Sequence, residues 1–209
     1  MTCRITLYGT ARSRASRSLV ALEELGVQYK HVPLFLGGDT PEVRAQLEPL
    51  NPNGHVPVLD DDGLVLWESM AINLYLAEKF AQPPLWPATP RERGVVYQWS
   101  FWCQTEMDRP EWAQAKRSGD KARIAEAARQ KLAKLGVLEG ALADRPYLLG
   151  GAFSFADLNV AATLSQPNEN GKIDWDQIDP SEHGMPRLGD WLKRCTTRDS
   201  WRRVRETRS

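Results

Sequence analysis

Two groups of side chains in the first third of the chain could act on a small peptide that carries a thiol. The first is a run of hydroxyls, Tyr8, Thr10, Ser13 and Ser16, where a strand pattern gives way to a helix. A free thiol has a pKa of about 8.5, so making it mostly thiolate near neutral pH requires a depression of about 2 units, or about 2.7 kcal/mol. A hydrogen bond to a charged group contributes roughly 1.5 to 3 kcal/mol. A helix N-terminus adds on the order of 0.3 to 1 kcal/mol. One hydroxyl at the start of the first helix therefore suffices, and Ser13, just before a helix that begins near Arg14, occupies that place. Plain helix capping would use a serine there too. Tyr8 sits inside the strand pattern, where packing is the commoner role, while Thr10 and Ser16 are competing hydroxyls on the same turn. Arg12 and Arg14 could raise the local positive potential.

The second group is Asn51-Pro52-Asn53-Gly54-His55-Val56-Pro57-Val58-Leu59, followed after Asp60-Asp61-Asp62-Gly63 by Leu64-Val65-Leu66-Trp67-Glu68-Ser69. A Val-Pro at the mouth of a strand, a tight turn, a second strand and an acid-Ser helix start display backbone groups to a peptide ligand. A cis Pro57 would turn the Val56 N–H and C=O outward. Glu68 offers a carboxylate to an ammonium, and Ser69 can give its hydroxyl and backbone N–H to a carboxylate. A structural turn at Pro57 and simple capping at Glu68-Ser69 are the alternatives, as is a solvated turn histidine for His55.

The elements that must carry these groups can be read from periodicity. Arg4 to Tyr8 alternates like a strand, and Arg14 to Leu25 has helical spacing until Gly26 stops it. Val27 to Val32 reads as a strand, and Thr40 to Leu47 as a short helix with Thr40 as N-cap and Pro41 at its first position. Val58 to Asp60 and Leu64 to Leu66 form a hairpin, and Glu68 to Phe80 is an amphipathic helix. The order predicts a thioredoxin-like α/β unit. At Gln82-Pro83-Pro84-Leu85-Trp86-Pro87 proline density stops both helix and sheet and predicts a stiff linker. Beyond it, Thr89 to Ala115 and Asp120 to Leu142 read as two long helices. Ser154 and Asp157 have the form of a capping box opening a helix to about Leu164. Shorter helices follow near Leu188 to Cys195 and Asp199 to Arg205. The fold class is thus α/β plus all-α, with domains at 1–82 and 89–209 and a linker at 83–88.

Composition bounds the function classes. The chain has 209 residues, with 27 Lys plus Arg against 27 Asp plus Glu, so no long-range field favours nucleic acid or an anionic membrane. Arg198, Arg202, Arg203, Arg205 and Arg208 form the one basic run, read as a solvated helix. No apolar stretch approaches the about 20 residues that span a bilayer, and no signal peptide is seen, which together predict a cytoplasmic protein. Cys3, Cys103 and Cys195 fit neither a disulfide framework nor a metal site. With His31, His55 and His183 dispersed, no zinc site is expected. No nucleophile elbow, P-loop or dinucleotide fingerprint occurs.

The turn, proline, hairpin and Glu-Ser run resembles that of the glutathione transferase family. So do Leu7-Tyr8-Gly9-Thr10-Ala11-Arg12-Ser13-Arg14-Ala15-Ser16-Arg17, Leu22-Glu23-Glu24-Leu25-Gly26 and Phe153-Ser154-Phe155-Ala156-Asp157-Leu158. The four motifs stand in order over nearly the whole chain, which is identified as a cytosolic, bacterial-type member. The resemblance implies glutathione as co-substrate, no metal, a small hydrophobic electrophile as second substrate, and a homodimer. Serine-type members carry the activating hydroxyl four residues before an arginine, and Ser13 and Arg17 match that spacing. Arg12 stands where cysteine-type members place a cysteine, which argues against disulfide exchange through an enzyme thiol. The resemblance assigns His55, Val56, Pro57, Glu68 and Ser69 to glutathione: Val56 to the cysteinyl backbone, Glu68 to the ammonium, Ser69 to the γ-glutamyl carboxylate and His55 to the glycine carboxylate.

The electrophile would approach from the helical domain, where Trp99, Trp102, Glu106 and Arg109 fall at helical spacing. Trp102, Glu106 and Arg12 are the pocket candidates, against core or dimer contact for any single aromatic. Asp157 is expected to stabilise the domain rather than to react. The reaction implied is attack of the glutathione thiolate on an electrophilic carbon. A peroxidase or disulfide reductase of the same fold, and a non-catalytic glutathione-binding module, are the alternatives.

Overall fold

A computed structural model describes residues 4–34, 41–108, 110–165 and 183–207. Strand β1 (Ile5–Tyr8) buries Ile5 and Leu7 on one face, as period-two alternation requires. Helix α1 (Ala15–Leu25) follows and ends at Gly26, whose positive φ of 63° closes the left-handed cap. Strand β2 (Lys30–Val32) pairs parallel to β1, with Leu7 opposite His31. Helix α2 (Pro41–Leu47) comes next, and its expected cap Thr40 lies outside the described residues. Strands β3 (Val58–Asp61) and β4 (Leu64–Trp67) form the hairpin, and β3 pairs antiparallel to β1. The sheet order is β2-β1-β3-β4, and helix α3 (Ser69–Phe80) completes a thioredoxin-like unit.

The sheet is covered on both faces. Ile5, Leu7 and Leu59 join the main core with α1 and α3, while Val58, Leu47, Val56 and Leu34 form a smaller cluster with Tyr8 and Val32. Gly9 is where this sandwich is tightest. Its φ is 124°, and a Cβ there would lie 2.7 Å from that of Ala15 and 3.0 Å from that of Val56. Only glycine lets the β1–α1 turn rest on both the first turn of α1 and the Val56-Pro57 loop.

The second half, among the described residues, is helical: α4 (Pro90–Trp102), a π-helical turn (Cys103–Met107), α5 (Pro110–Ser118), α6 (Lys121–Ala141), α7 (Phe155–Leu164), α8 (Pro186–Thr196) and α9 (Asp199–Glu206). The single long helix expected from Thr89 to Ala115 is therefore broken. Pro110 has no N–H to continue the ladder and restricts the residue before it. Before that proline lies the π turn, where the Asp108 N–H bonds to the Cys103 carbonyl. Asp120 does cap α6, accepting from the N–H groups of Ala122 and Arg123.

Two segments make contacts that the sequence does not display. The proline-rich linker is not a bare spacer: Trp86 is buried between the halves, edge-on to Phe155 and Tyr97, with its indole N–H on Glu78. In the basic run Arg202, Arg203 and Arg205 are exposed, as expected of a solvated helix, and Arg208 lies outside the described residues, but the run also docks on α1. Arg198 and Ser200 bond to Glu24, Arg203 bonds to Glu23, and the Arg198 guanidinium lies 4.1 Å from the Phe153 ring centroid. Asp157 is fully buried and accepts from the Leu148 and Ser154 N–H groups, the Ser154 hydroxyl and the Trp191 indole. Burial pushes its carboxyl up, opposed by those bonds.

Candidate active site

The β1–α1 turn is drawn by two bonds to the Thr10 carbonyl, from the Ser13 N–H at 3.0 Å and the Ser13 hydroxyl at 2.8 Å. The Ser13 oxygen also accepts from the Ala15 N–H at 3.1 Å. Ser13 thus lies half-buried at the positive end of α1, and its hydroxyl doubles as a cap. The competitors separate by position. Ser16 is buried and lines a small cavity with Val20, Ala162, Ser165, Trp201 and Val204, deep between α1, α7 and α9. Tyr8 packs against the cluster under α2. The Thr10 hydroxyl is buried without a protein partner.

The Val56-Pro57 bond is cis. Its approach is held by Asn51, the first residue of the motif, for which residue type and spacing imply no role. Asn51 is buried; its amide N–H donates to the His55 carbonyl at 2.8 Å, and its oxygen accepts from the Asn53 N–H at 3.0 Å. His55 itself is exposed. Val56 touches the space that Gly9 leaves, so the proline loop and the Ser13 turn are neighbours.

Glu68 departs most from ordinary geometry. It precedes α3 with φ 72° and ψ 114°, a region that costs a non-glycine residue on the order of 1 to 3 kcal/mol. Its side chain is exposed, and Ser69 behind it is buried. Periodicity shows that a helix begins here, but not this backbone outlier.

Arginine and aspartate tie the groups together. Arg17, 2 % exposed, donates to the Ser69 hydroxyl at 3.4 Å and to the Asp108 carboxylate at 3.0 Å. Arg14 makes a two-pronged contact with the same carboxylate, both bonds 2.9 Å. Burial opposes ionisation of Asp108, yet Arg17 and Arg14 outweigh it and hold the carboxyl below its usual range. The Arg14 guanidinium is raised chiefly by its bond to Asp108, with the Glu68 charge contributing. Ser13, Val56-Pro57 and Glu68-Ser69 thus surround the N-terminal turn of α1, and Asp108 closes that turn from the helical half. Asp108 was missed because an uninterrupted helix would have hidden it.

The pocket candidates stand on α4 and the π turn. Trp102 is half-buried and edge-on to Trp99 with centroids 5.2 Å apart. Glu106 pairs with Lys134 of α6 at 2.6 Å. Arg12 is exposed, and Arg109 lies outside the described residues. The π turn shifts the helical register after Trp102, so Trp99, Trp102 and Glu106 do not share the face of a regular α-helix. Cys103 and Cys195 are buried free thiols, and burial pushes the former up to about 11; Cys3 lies outside the described residues. No group of three His, Cys, Asp or Glu suited to a metal, and no helix long and apolar enough to cross a membrane, occurs among the described residues.

Residues 3–78 match the family described as "Glutathione S-transferase, N-terminal domain", and residues 96–199 match "Glutathione S-transferase, C-terminal domain". Among curated proteins, the chain is 30% identical to "Glutathione S-transferase-like protein gedE" of Aspergillus terreus, over 96% of this chain and 93% of that one. It is 28% identical to "Glutathione S-transferase GstB" of Escherichia coli strain K12, over 96% and 97%. Among solved structures, it is similar to a theta class glutathione S-transferase from Xanthomonas axonopodis pv. citri with glutathione bound. That likeness has a TM-score of 0.75 and 33% identity, and covers 97% of both chains.

Proposed function

Because this chain belongs to the glutathione S-transferase family, we propose that it transfers the thiolate of glutathione to small hydrophobic electrophiles through a serine-type site. The observation that carries this reading is the clustering around the first turn of α1: a serine hydroxyl, a cis Val-Pro and a strained Glu-Ser helix start. In this reading Ser13 donates to the glutathione sulfur. Val56 pairs with the cysteinyl backbone beside Pro57, and Glu68 meets the ammonium. Ser69 meets the γ-glutamyl carboxylate, and His55 the glycine carboxylate. Trp102, Glu106 and Arg12 border the electrophile.

The proposed boundaries are 1–82 for the glutathione-binding domain, 83–88 for the linker and 89–209 for the helical domain. A cytoplasmic location and a homodimer follow as proposals. The dimer is supported by exposed apolar side chains on both halves, Leu64 and Trp67 on β4 and Tyr97 and Phe101 on α4, with Phe101 60 % exposed. A second copy is the occupant proposed for them.

One observation favours a second reading. The Ser13 hydroxyl donates to the Thr10 carbonyl, so its hydrogen must turn toward sulfur when glutathione binds. A chain in which it did not turn would bind glutathione without activating it. Turnover of an aryl halide, a hydroperoxide and a mixed disulfide by one purified sample, with spectroscopic titration of the bound thiol in wild type and Ser13→Ala, separates the readings. Transfer predicts aryl halide turnover and a thiol pKa raised by about 1 to 2 units in the variant, the equivalent of one hydrogen bond to a charged group. Binding without turnover, or an unchanged pKa, refutes it.

A further inference from the structure

Behind the site a chain of buried amides and hydroxyls crosses from one half of the molecule to the other. Asn73 of α3 donates through its amide nitrogen to the Asn159 oxygen of α7 at 2.9 Å and to the Arg17 carbonyl of α1 at 3.4 Å. Asn159 donates in turn to the Ser100 hydroxyl at 2.8 Å, and Ser100 donates to the Val96 carbonyl at 2.7 Å. Asn73, Asn159 and Ser100 are fully buried.

The direction of this chain is determined by chemistry. The Val96 carbonyl can only accept, so Ser100 donates to it and accepts from the Asn159 nitrogen, which leaves the Asn159 oxygen to accept from Asn73. Turning the Asn73 amide over would face its oxygen with two other acceptors, Asn159 and the Arg17 carbonyl. Its oxygen has no partner, so the amide is held by its two donor bonds alone.

These bonds close a ring. Ser69 and Asn73 are one turn apart on α3. Asn73 holds the Arg17 backbone, and the Arg17 side chain returns to Ser69 and reaches Asp108. Asn159 and Ser100 anchor the ring to α7 and α4, and α4 leads through the π turn to Asp108 itself. We propose that Asn73 and Asn159 are positioning residues for glutathione: they set α1 against α3 and α7 so that Arg17 holds the Ser69 hydroxyl toward the γ-glutamyl end of the ligand. This rests on the glutathione site proposed above.

The test uses the full chain and four variants, Asn73→Leu, Asn159→Leu, the double variant and Ser69→Ala. Calorimetry measures glutathione affinity, kinetics with an aryl halide separate the two KM values, and thermal unfolding measures stability. Asn73→Leu should weaken glutathione binding about fivefold, the value of one ordinary hydrogen bond, with the electrophile KM unchanged. Removing both amides takes away the unpaired partner that either single variant leaves in the Asn73–Asn159 bond, while the Arg17 carbonyl and the Ser100 hydroxyl still lose a donor. The double variant should therefore regain some melting temperature but not glutathione affinity. Affinity that returns together with stability would mean a merely structural pair and would overturn the proposal, as would wild-type affinity in both single variants. If Asn73→Leu does not fold, Asn159→Leu and the double variant carry the same comparison. Weakened binding in Ser69→Ala with normal binding in the asparagine variants sinks this inference alone, whereas normal binding in Ser69→Ala sinks the glutathione site with it.

Discussion

Replacing Asp108 by Asn leaves the shape of the side chain and removes its charge. Three nitrogen–oxygen contacts of 2.9 to 3.0 Å converge on that carboxylate, two from Arg14 and one from Arg17. Arg14 is half exposed at 50 %, so its share is that of a surface pair, about 0.2 to 1 kcal/mol. Arg17 is 2 % exposed, and a guanidinium cannot shed its proton to escape burial. Removing the partner of a buried charge costs about 3 to 5 kcal/mol. Because Asp108 retains 16 % exposure, the lower end applies, about 3 kcal/mol. For a chain of this size that corresponds to a fall in melting temperature of about 6 to 12 °C, measurable by circular dichroism. The sign with pH follows from the depressed carboxyl. Its stabilisation is present above the ordinary aspartate range near about 3.9 and is lost as pH falls through the lower folded value. The acid limb of wild-type stability should therefore be steeper than that of Asp108→Asn. A loss below about 1 kcal/mol, or parallel acid limbs, would refute the claim that Asp108 neutralises a buried arginine.

Glu68→Gly should relieve the backbone outlier and raise stability by about 1 kcal/mol, while glutathione affinity measured by calorimetry falls with loss of the carboxylate; unchanged affinity would make Glu68 a helix start only. Asp157→Ala orphans four buried donor contacts and should cost about 3 to 5 kcal/mol in urea unfolding, well above the about 0.5 to 2 kcal/mol of a lost cap, with turnover per folded molecule preserved. Trp102→Ala should shift preference among hydrophobic electrophiles with little change in glutathione KM if it borders the pocket. A variant destabilised by about 3 to 5 kcal/mol with unaltered preference would place it in the core.

Local chemistry is what the sequence displays well. The Asn51 to Ser69 run, the Gly26 stop, the Asp120 cap and the Ser154–Asp157 pair each signal through residues within a few positions of one another, and the thioredoxin-like order follows from them. Long-range partners leave no such mark. Nothing near Asp108 in sequence indicates two arginines 94 and 91 positions earlier, and Asn73 and Asn159 resemble ordinary polar residues on helices until the fold joins them. Pro110 is itself a local signal that divides the helix. The π turn before it has no comparable signature in residue type or spacing. Serine chemistry and serine capping coincide at Ser13, so composition alone could not separate them.

The docking of α9 bears on the order in which the molecule can be completed. Residues Ala15 to Leu22 of α1 are all buried, because the helix is enclosed by α3 on one side and by α7 and α9 on the other. Synthesis proceeds from the N-terminus at roughly 5 to 20 residues per second, so α9 emerges about 10 to 35 s after the helix it covers. During that interval the thioredoxin-like half lacks one wall, with the apolar surface of α1 and the acids Glu23 and Glu24 awaiting Arg203 and Arg198. A fragment ending after Phe80 would carry that bare surface permanently, and its fate in the cell would be decided by chaperones and proteases rather than by the strength of its own sheet.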